Sequence, residues 1–179
     1  MKFIEEREVK KECGKKGFMS SSLKHILKYI SGVPEIDEVI KNNGLDYVFV
    51  VDIVERKNCF EVVFKGRKQF TYYAAIDRKS IKQIFLEDMQ QVYKEKERSV
   101  AGRALLGGVL FGPAGAIVGG MTGVKNKKKK QIMPEMVLSI IYEDAQGIEQ
   151  TMVLMFMYTF REKVSTFFRS LFPKKFKAV

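Results

Sequence analysis

A chain of 179 residues that is 46% hydrophobic and 12% aromatic is long enough to bury a sizeable core and too apolar to be disordered throughout. Lysine and arginine number 32 against 21 acidic residues, and the resulting +11 favours an anionic partner, either phospholipid or nucleic acid. With only Cys13, Cys59 and His25 to draw on, the sequence offers no metal-ligand set, no disulfide framework and no catalytic triad.

The first 15 residues, MKFIEEREVKKECGK, are charged throughout and lack an apolar leader core, so a cytoplasmic chain with reduced thiols is expected. Residues 1–19 read as a charged arm. Ser20, Ser21 and Ser22 then offer N-cap oxygens to a helix whose Leu23, Ile26, Leu27 and Ile30 recur at helical spacing, with His25 on its solvated face. Gly32 and Pro34 end it. A second short helix is expected over residues 35–42, presenting Ile36, Val39 and Ile40. Residues 1–45 thus form a unit of charged arm and short helices.

From residue 46 the period changes to two. DYVFVVDIVE, NCFEVVFKG and KQFTYYAAID are three β-rich runs separated by the turn-like ERKN and KGRK, as an antiparallel meander requires. Phe60, Val62 and Phe64 alternate with Cys59, Glu61, Val63 and Lys65, the pattern of a half-buried sheet. SIKQIFLEDMQQVYKEKERS fits a bent strand that continues the sheet, with a helix as the competing reading.

Residues 104–124, ALLGGVLFGPAGAIVGGMTGV, run without a charge and contain seven glycines. Gly108/Gly112, Gly115/Gly119 and Gly119/Gly123 are small-xxx-small pairs that let a second helix approach to backbone contact, while Leu110, Phe111 and Ile117 supply apolar surface. Pro113 interrupts the run, so two short helices folded back as a hairpin are expected, not one rod. Such a hairpin packs on its own domain or a sister chain, associates shallowly with a membrane, or stays a flexible loop. Arg103 precedes the block, and Lys125, Lys127, Lys128, Lys129 and Lys130 follow it. Residues 101–135 alone carry +5.

Beyond Pro134, EMVLSIIYED and GIEQTMVLMFM flank Asp144-Ala145-Gln146-Gly147 as a strand hairpin, with Met136, Leu138, Ile140 and Tyr142 facing Ile148, Met152, Leu154 and Phe156. Thr159 caps a helix with the apolar stripe Phe160, Val164, Phe167, Phe168 and Leu171. Pro173 closes it, leaving KKFKAV as a basic tail.

Strands followed by one C-terminal amphipathic helix, with KEKERSVAGRALLGGVLFGPAGAIVGG and the lysine run set between them, resemble the small bacterial and phage proteins in which a pleckstrin-homology-like domain is interrupted by a glycine-zipper hairpin. The resemblance covers roughly residues 46–172. It implies an α+β fold: an antiparallel pleckstrin-homology-like β-sandwich or partly open barrel over residues 46–179, with a C-terminal helix, an N-terminal helical appendage and an inserted glycine-rich helical hairpin at 100–130. It also implies a binding or assembly module. Phosphoinositide binding does not follow, because the turn Glu55-Arg56-Lys57-Asn58 has only two cations.

No enzyme is indicated. GGMTGVK lacks the lysine and hydroxyl spacing of a phosphate loop, and the carboxylate pairs Glu87/Asp88 and Glu143/Asp144 fall where strand ends expose them. Neither a cofactor nor a metal is expected. The leading reading is a module that forms homo-oligomers or associates with an anionic membrane surface, peripherally or partly inserted at its inner face. Gly108, Gly112, Gly115, Gly119, Gly123, Leu110, Phe111 and Ile117 would make the contact, and Arg103 with the five lysines would meet lipid or phosphate. The alternative is a nucleic-acid-binding protein with Phe70, Tyr72, Tyr73 and Tyr93 as a stacking platform.

Overall fold

In the computed structural model, residues 1–17, 21–43, 48–66, 70–94 and 135–178 are described. Their strands are β1 (Lys2–Ile4), β2 (Ser22–Ser31), β3 (Val50–Glu55), β4 (Cys59–Lys65), β5 (Thr71–Asp77), β6 (Ile81–Asp88), β7 (Glu135–Glu143), β8 (Glu149–Met157) and β9 (Phe176–Ala178). They join one sheet in the order β1-β5-β4-β3-β2-β8-β7-β6-β9, antiparallel except where β9 lies parallel to β6. The helices are α1 (Val9–Cys13), α2 (Pro34–Asn43), α3 (Met89–Lys94) and α4 (Arg161–Leu171). A large sheet closed by a C-terminal helix is the arrangement expected of a pleckstrin-homology-like domain.

The helix expected over residues 20–31 is instead β2, which pairs with β3 on one side and β8 on the other. A bulge explains the misleading period. Register jumps from Leu23↔Ile53 to Leu27↔Val51, so four positions of β2 advance while β3 advances two. His25, exposed as expected, sits at φ 58 within the bulge, and its N–H donates to Asp52 Oδ1 at 2.8 Å. Asp52 is itself buried and receives Lys65 Nζ at 2.6 Å. The inserted residues shift the alternation, and the apolar spacing then imitates a helical stripe.

Gly32 turns the chain from β2 into α2. At φ +95, a Cβ there would stand 1.8 Å from the Thr151 carbonyl oxygen, so only glycine fits. Asp37 then secures the helix start: its carboxylate accepts from Gly32 N–H at 3.0 Å and from the Tyr29 hydroxyl at 2.7 Å, while that hydroxyl accepts from Val33 N–H at 2.7 Å. Burial raises the Asp37 carboxyl above its ordinary value and pushes the Tyr29 phenol up as well.

The main core lies between the curved sheet and its two longer helices. Ile36 and Ile40 of α2 and Val164, Phe167 and Phe168 of α4 enter it beside Phe60, Phe64, Leu138 and Leu154. Aromatic pairs knit the core: Tyr29 of β2 meets Phe64 of β4 edge-on at 5.6 Å within the sheet, and Phe60 lies 5.4 Å from Phe172 at the end of α4. Met136, Leu138, Ile140 and Tyr142 face this core as expected, opposite Met152, Leu154 and Phe156. Ile148, expected beside them, stands in the turn and is 54% exposed. Phe160, not Thr159, occupies the cap position of α4, and no side chain caps it.

Two further expectations are corrected where the chain ends fold back. The arm at residues 1–17 contains β1, a 3-10 turn (Glu6–Glu8) and α1, which covers the outer face of β4; Val63 and Glu61 are therefore buried, and β4 is covered on both faces. Cys13 and Cys59, expected as separate thiols, form a disulfide with Cα atoms 5.0 Å apart. Sequence separation hid the pair, because the β1–β5 register carries α1 back across β4. The tail after Pro173 is equally ordered: β9 aligns Phe176 with Ile84 and Ala178 with Leu86.

Candidate functional site

The junction of β6 and β7 is where the glycine-rich segment joins the fold. β6 is a strand only to Asp88; the chain then turns into α3, so the bent-strand reading holds for its first half and a helix replaces the second. Asp88 makes the change by accepting Gln90 N–H on Oδ1 at 2.7 Å, removing one unpaired donor of the first helical turn. β7 returns directly alongside, with Asp88 opposite Met136 and Glu87 opposite Val137. The described chain leaves this junction at Lys94, the end of α3, and resumes at Glu135, the first residue of β7.

A second, smaller apolar cluster anchors this junction on the face of the sheet turned away from the main core. Met89 and Val92 of α3 pack with Ile30, Val137, Val153 and Met155. Apolar residues on both faces of β7 and β8 thus have separate uses: the inward set builds the core and the outward set seats α3. Sequence reading caught the inward set by its alternation. It missed the outward set because Val137, Val153 and Met155 looked like the other half of the same pattern.

All the residues expected to make the contact, Gly108, Leu110, Phe111, Gly112, Gly115, Ile117, Gly119 and Gly123, lie outside the described residues. So do Arg103, Lys125, Lys127, Lys128, Lys129 and Lys130, and with them the expected hairpin.

Elsewhere the polar groups serve the fold. Glu87 is buried, not exposed as expected, whereas Glu143 is partly exposed and ion-paired with Lys82. Asp144 accepts from the N–H groups of Ile148 and Gln146, each at 2.9 Å, and the Ile148 bond is the main cause of its lowered carboxyl. A shallow cleft of about 290 Å³ between the N-terminal segment and the sheet carries Lys10, Lys15, Lys16 and Arg56, with Glu6 and Glu61 opposing them. Arg56 is committed to Glu61 at 2.7 Å. Among the described residues, no cluster of three or more His, Cys, Asp or Glu side chains could hold a metal ion.

Of the expected aromatic platform, Tyr72 and Tyr73 turn to opposite faces of the sheet. Tyr72 packs edge-on against Phe49 at 5.9 Å toward the core, and its neighbour Tyr73 projects from the other face into the cleft beside Glu6. Phe70 is 42% exposed, and the Tyr93 side chain lies outside the described residues. Among the described residues, no helix is long and apolar enough to cross a membrane.

No curated protein matches the chain. A family profile described as glycine zipper containing PH domain matches residues 38–155, about two thirds of its length. That match includes the junction and the whole of the segment it carries, and leaves β2 and α4 outside its limits.

Proposed function

The chain belongs to the family of glycine zipper containing PH domains, and from that membership we propose that it is a non-enzymatic module that assembles with copies of itself or docks on an anionic membrane surface through residues 104–124. The observation that carries this reading is the junction. β6 and β7 are paired up to Asp88↔Met136, and α3 is seated on its own apolar cluster, so a rigid base carries a segment with 21 uncharged residues and glycines at helix-contact spacing. Lys125, Lys127, Lys128, Lys129 and Lys130 follow that segment and contribute about 1 kcal/mol each at an anionic leaflet. Basic flanks thereby compensate for the weak hydrophobicity of seven glycines.

Replacing Gly112 and Gly115 together by leucine tests the proposal in the full chain, by sedimentation and by flotation with vesicles containing phosphatidylserine. Filling the grooves is expected to shift the chain to smaller assemblies, while exchanging the five lysines for glutamine lowers vesicle binding without changing assembly size. Unchanged size and unchanged flotation in the glycine variant would overturn the reading. Binding of single-stranded oligonucleotides that falls steeply with salt yet ignores both sets of substitutions would favour the nucleic-acid alternative.

A further inference from the structure

The edge of β5 and the outer face of β4 are covered by a short piece of the chain's own N-terminus. β1 contributes three paired positions, Lys2↔Ala75, Phe3↔Ala74 and Ile4↔Tyr73. α1 is five residues long and buries only Val9 and Cys13. Met1 and Phe3 pack on the main core, with Phe3 stacked on Phe64 at 6.2 Å, and Ile4 is buried; to these contacts the fold adds a covalent fastening, with Cys13 bonded to Cys59 and the Asn58 N–H donating to the Cys13 carbonyl at 3.0 Å. The ion pair from Lys2 to Glu12 at 3.1 Å is mostly exposed and adds little. A helix this short does not hold itself together in isolation, so opening the disulfide removes the covalent tether and leaves apolar contacts that the same segment of a second copy reproduces equally.

Once the tether opens, β5 presents unpaired backbone groups beside the apolar surface left by Val9 and Cys13, and such an edge is a template for another strand. Residues 1–17 of a second copy match it in every respect: the same strand register, the same apolar residues and the same thiol. We propose that this N-terminal segment is a thiol-operated exchange element, which on opening of the disulfide docks on β5 and Cys59 of a second copy to give a reciprocal, disulfide-linked dimer.

The chemistry needs a small thiol of the glutathione class and no net oxidant. Its thiolate attacks Cys59 Sγ, since residue Cys59 is 6% exposed against 0% for Cys13. A bond forms between the small thiol and Cys59 as the Cys13–Cys59 bond breaks, and Cys13 leaves as a thiolate. Between two opened chains, each Cys13 thiolate attacks the mixed disulfide at Cys59 of the other copy, expelling the small thiolate, which is regenerated. Two bonds within chains become two bonds between chains. This interface sits at the β1–β5 end of the strand order, whereas β6 and β7 lie near the other end.

The test mixes nitrogen-15-labelled and unlabelled full-length protein with a trace of glutathione, quenches by alkylation, separates without reductant and digests the product. A species of twice the chain mass is expected, in which about half of the Cys13–Cys59 linked peptides join one heavy and one light arm, as random reciprocal pairing dictates. As a second measurement, Cys13→Ser protein carrying glutathione in a mixed disulfide at Cys59 is mixed with Cys59→Ser protein, whose Cys13 thiolate expels the glutathione thiolate, and a linked pair is expected that neither gives alone. Linked peptides that remain all-heavy or all-light overturn the proposal, as does a mixture of the two variants that links only like cysteines.

Discussion

At one edge of the sheet β1 rides on β5 under a disulfide; at the other, β9 lies along β6 beneath an aromatic stack. Both strands are three residues long, and both come from a chain terminus. Phe176 of β9 stacks on Phe168 at 6.5 Å, and Phe168 meets Phe167 edge-on at 4.9 Å within the main core. Lys175 adds backbone and side-chain bonds to β6, with the Ile84 N–H donating to its carbonyl at 3.0 Å and Nζ donating to the Ile81 carbonyl at 2.5 Å. Both edges reach the core, through Phe176 on Phe168 at one end and Phe3 on Phe64 at the other, but only the N-terminal edge adds a bond whose strength is set by solution chemistry. Identical strand lengths conceal different kinds of stability.

Phe168→Ala strikes the C-terminal edge and has the largest expected effect. The ring is 1% exposed, and its loss should cost about 3–5 kcal/mol in a denaturant titration. Amide exchange at Phe176–Ala178 should quicken while exchange at Lys2–Ile4 is unaffected. The converse change, Cys13→Ser with Cys59→Ser, removes a bridge across 46 positions and should cost about 2–4 kcal/mol, with the exchange pattern reversed. If both variants loosened both edges equally, the two closures would not be separate.

The smallest effect is a slope in pH. Burial raises the Asp37 carboxyl above 3.8, so its contribution to stability is fully present below that value and is lost as pH rises through its folded value. Asp144, lowered chiefly by the Ile148 N–H, contributes above 3.8 and loses that contribution as pH falls through its folded value. Urea midpoints measured across the acid range should therefore lose one slope in Asp37→Asn and the opposite slope in Asp144→Asn.

These features were unequally visible in the sequence. α2, the β3–β4–β5 meander and the β7–β8 hairpin were legible because each rests on a local period and its own turn residues, as where Asp144 caps the turn before Ile148. β2 was not, since the bulge at His25 rewrote its period, and the bond to Asp52 that stabilises the bulge comes from 27 positions away. Cys13 and Cys59 gave no warning, because only the return of β1 to β5 brings them together. The ordered tail was missed for the same reason: Phe176 reads as one aromatic among lysines until Phe168 is placed beside it. Of the site, the sequence supplied the segment's chemistry, and the fold supplied the paired stems that carry it.

Those stems have a consequence for how such chains diversify. Where two neighbouring strands are already zipped together, the excursion between them contributes nothing to the path the rest of the polypeptide follows, and lengthening it costs entropy only as the logarithm of its size. Nature can lengthen, trim or exchange the greasy cassette between Lys94 and Glu135 while the sheet beneath keeps its shape, which makes this junction a natural socket for grafting one adhesive sequence in place of another.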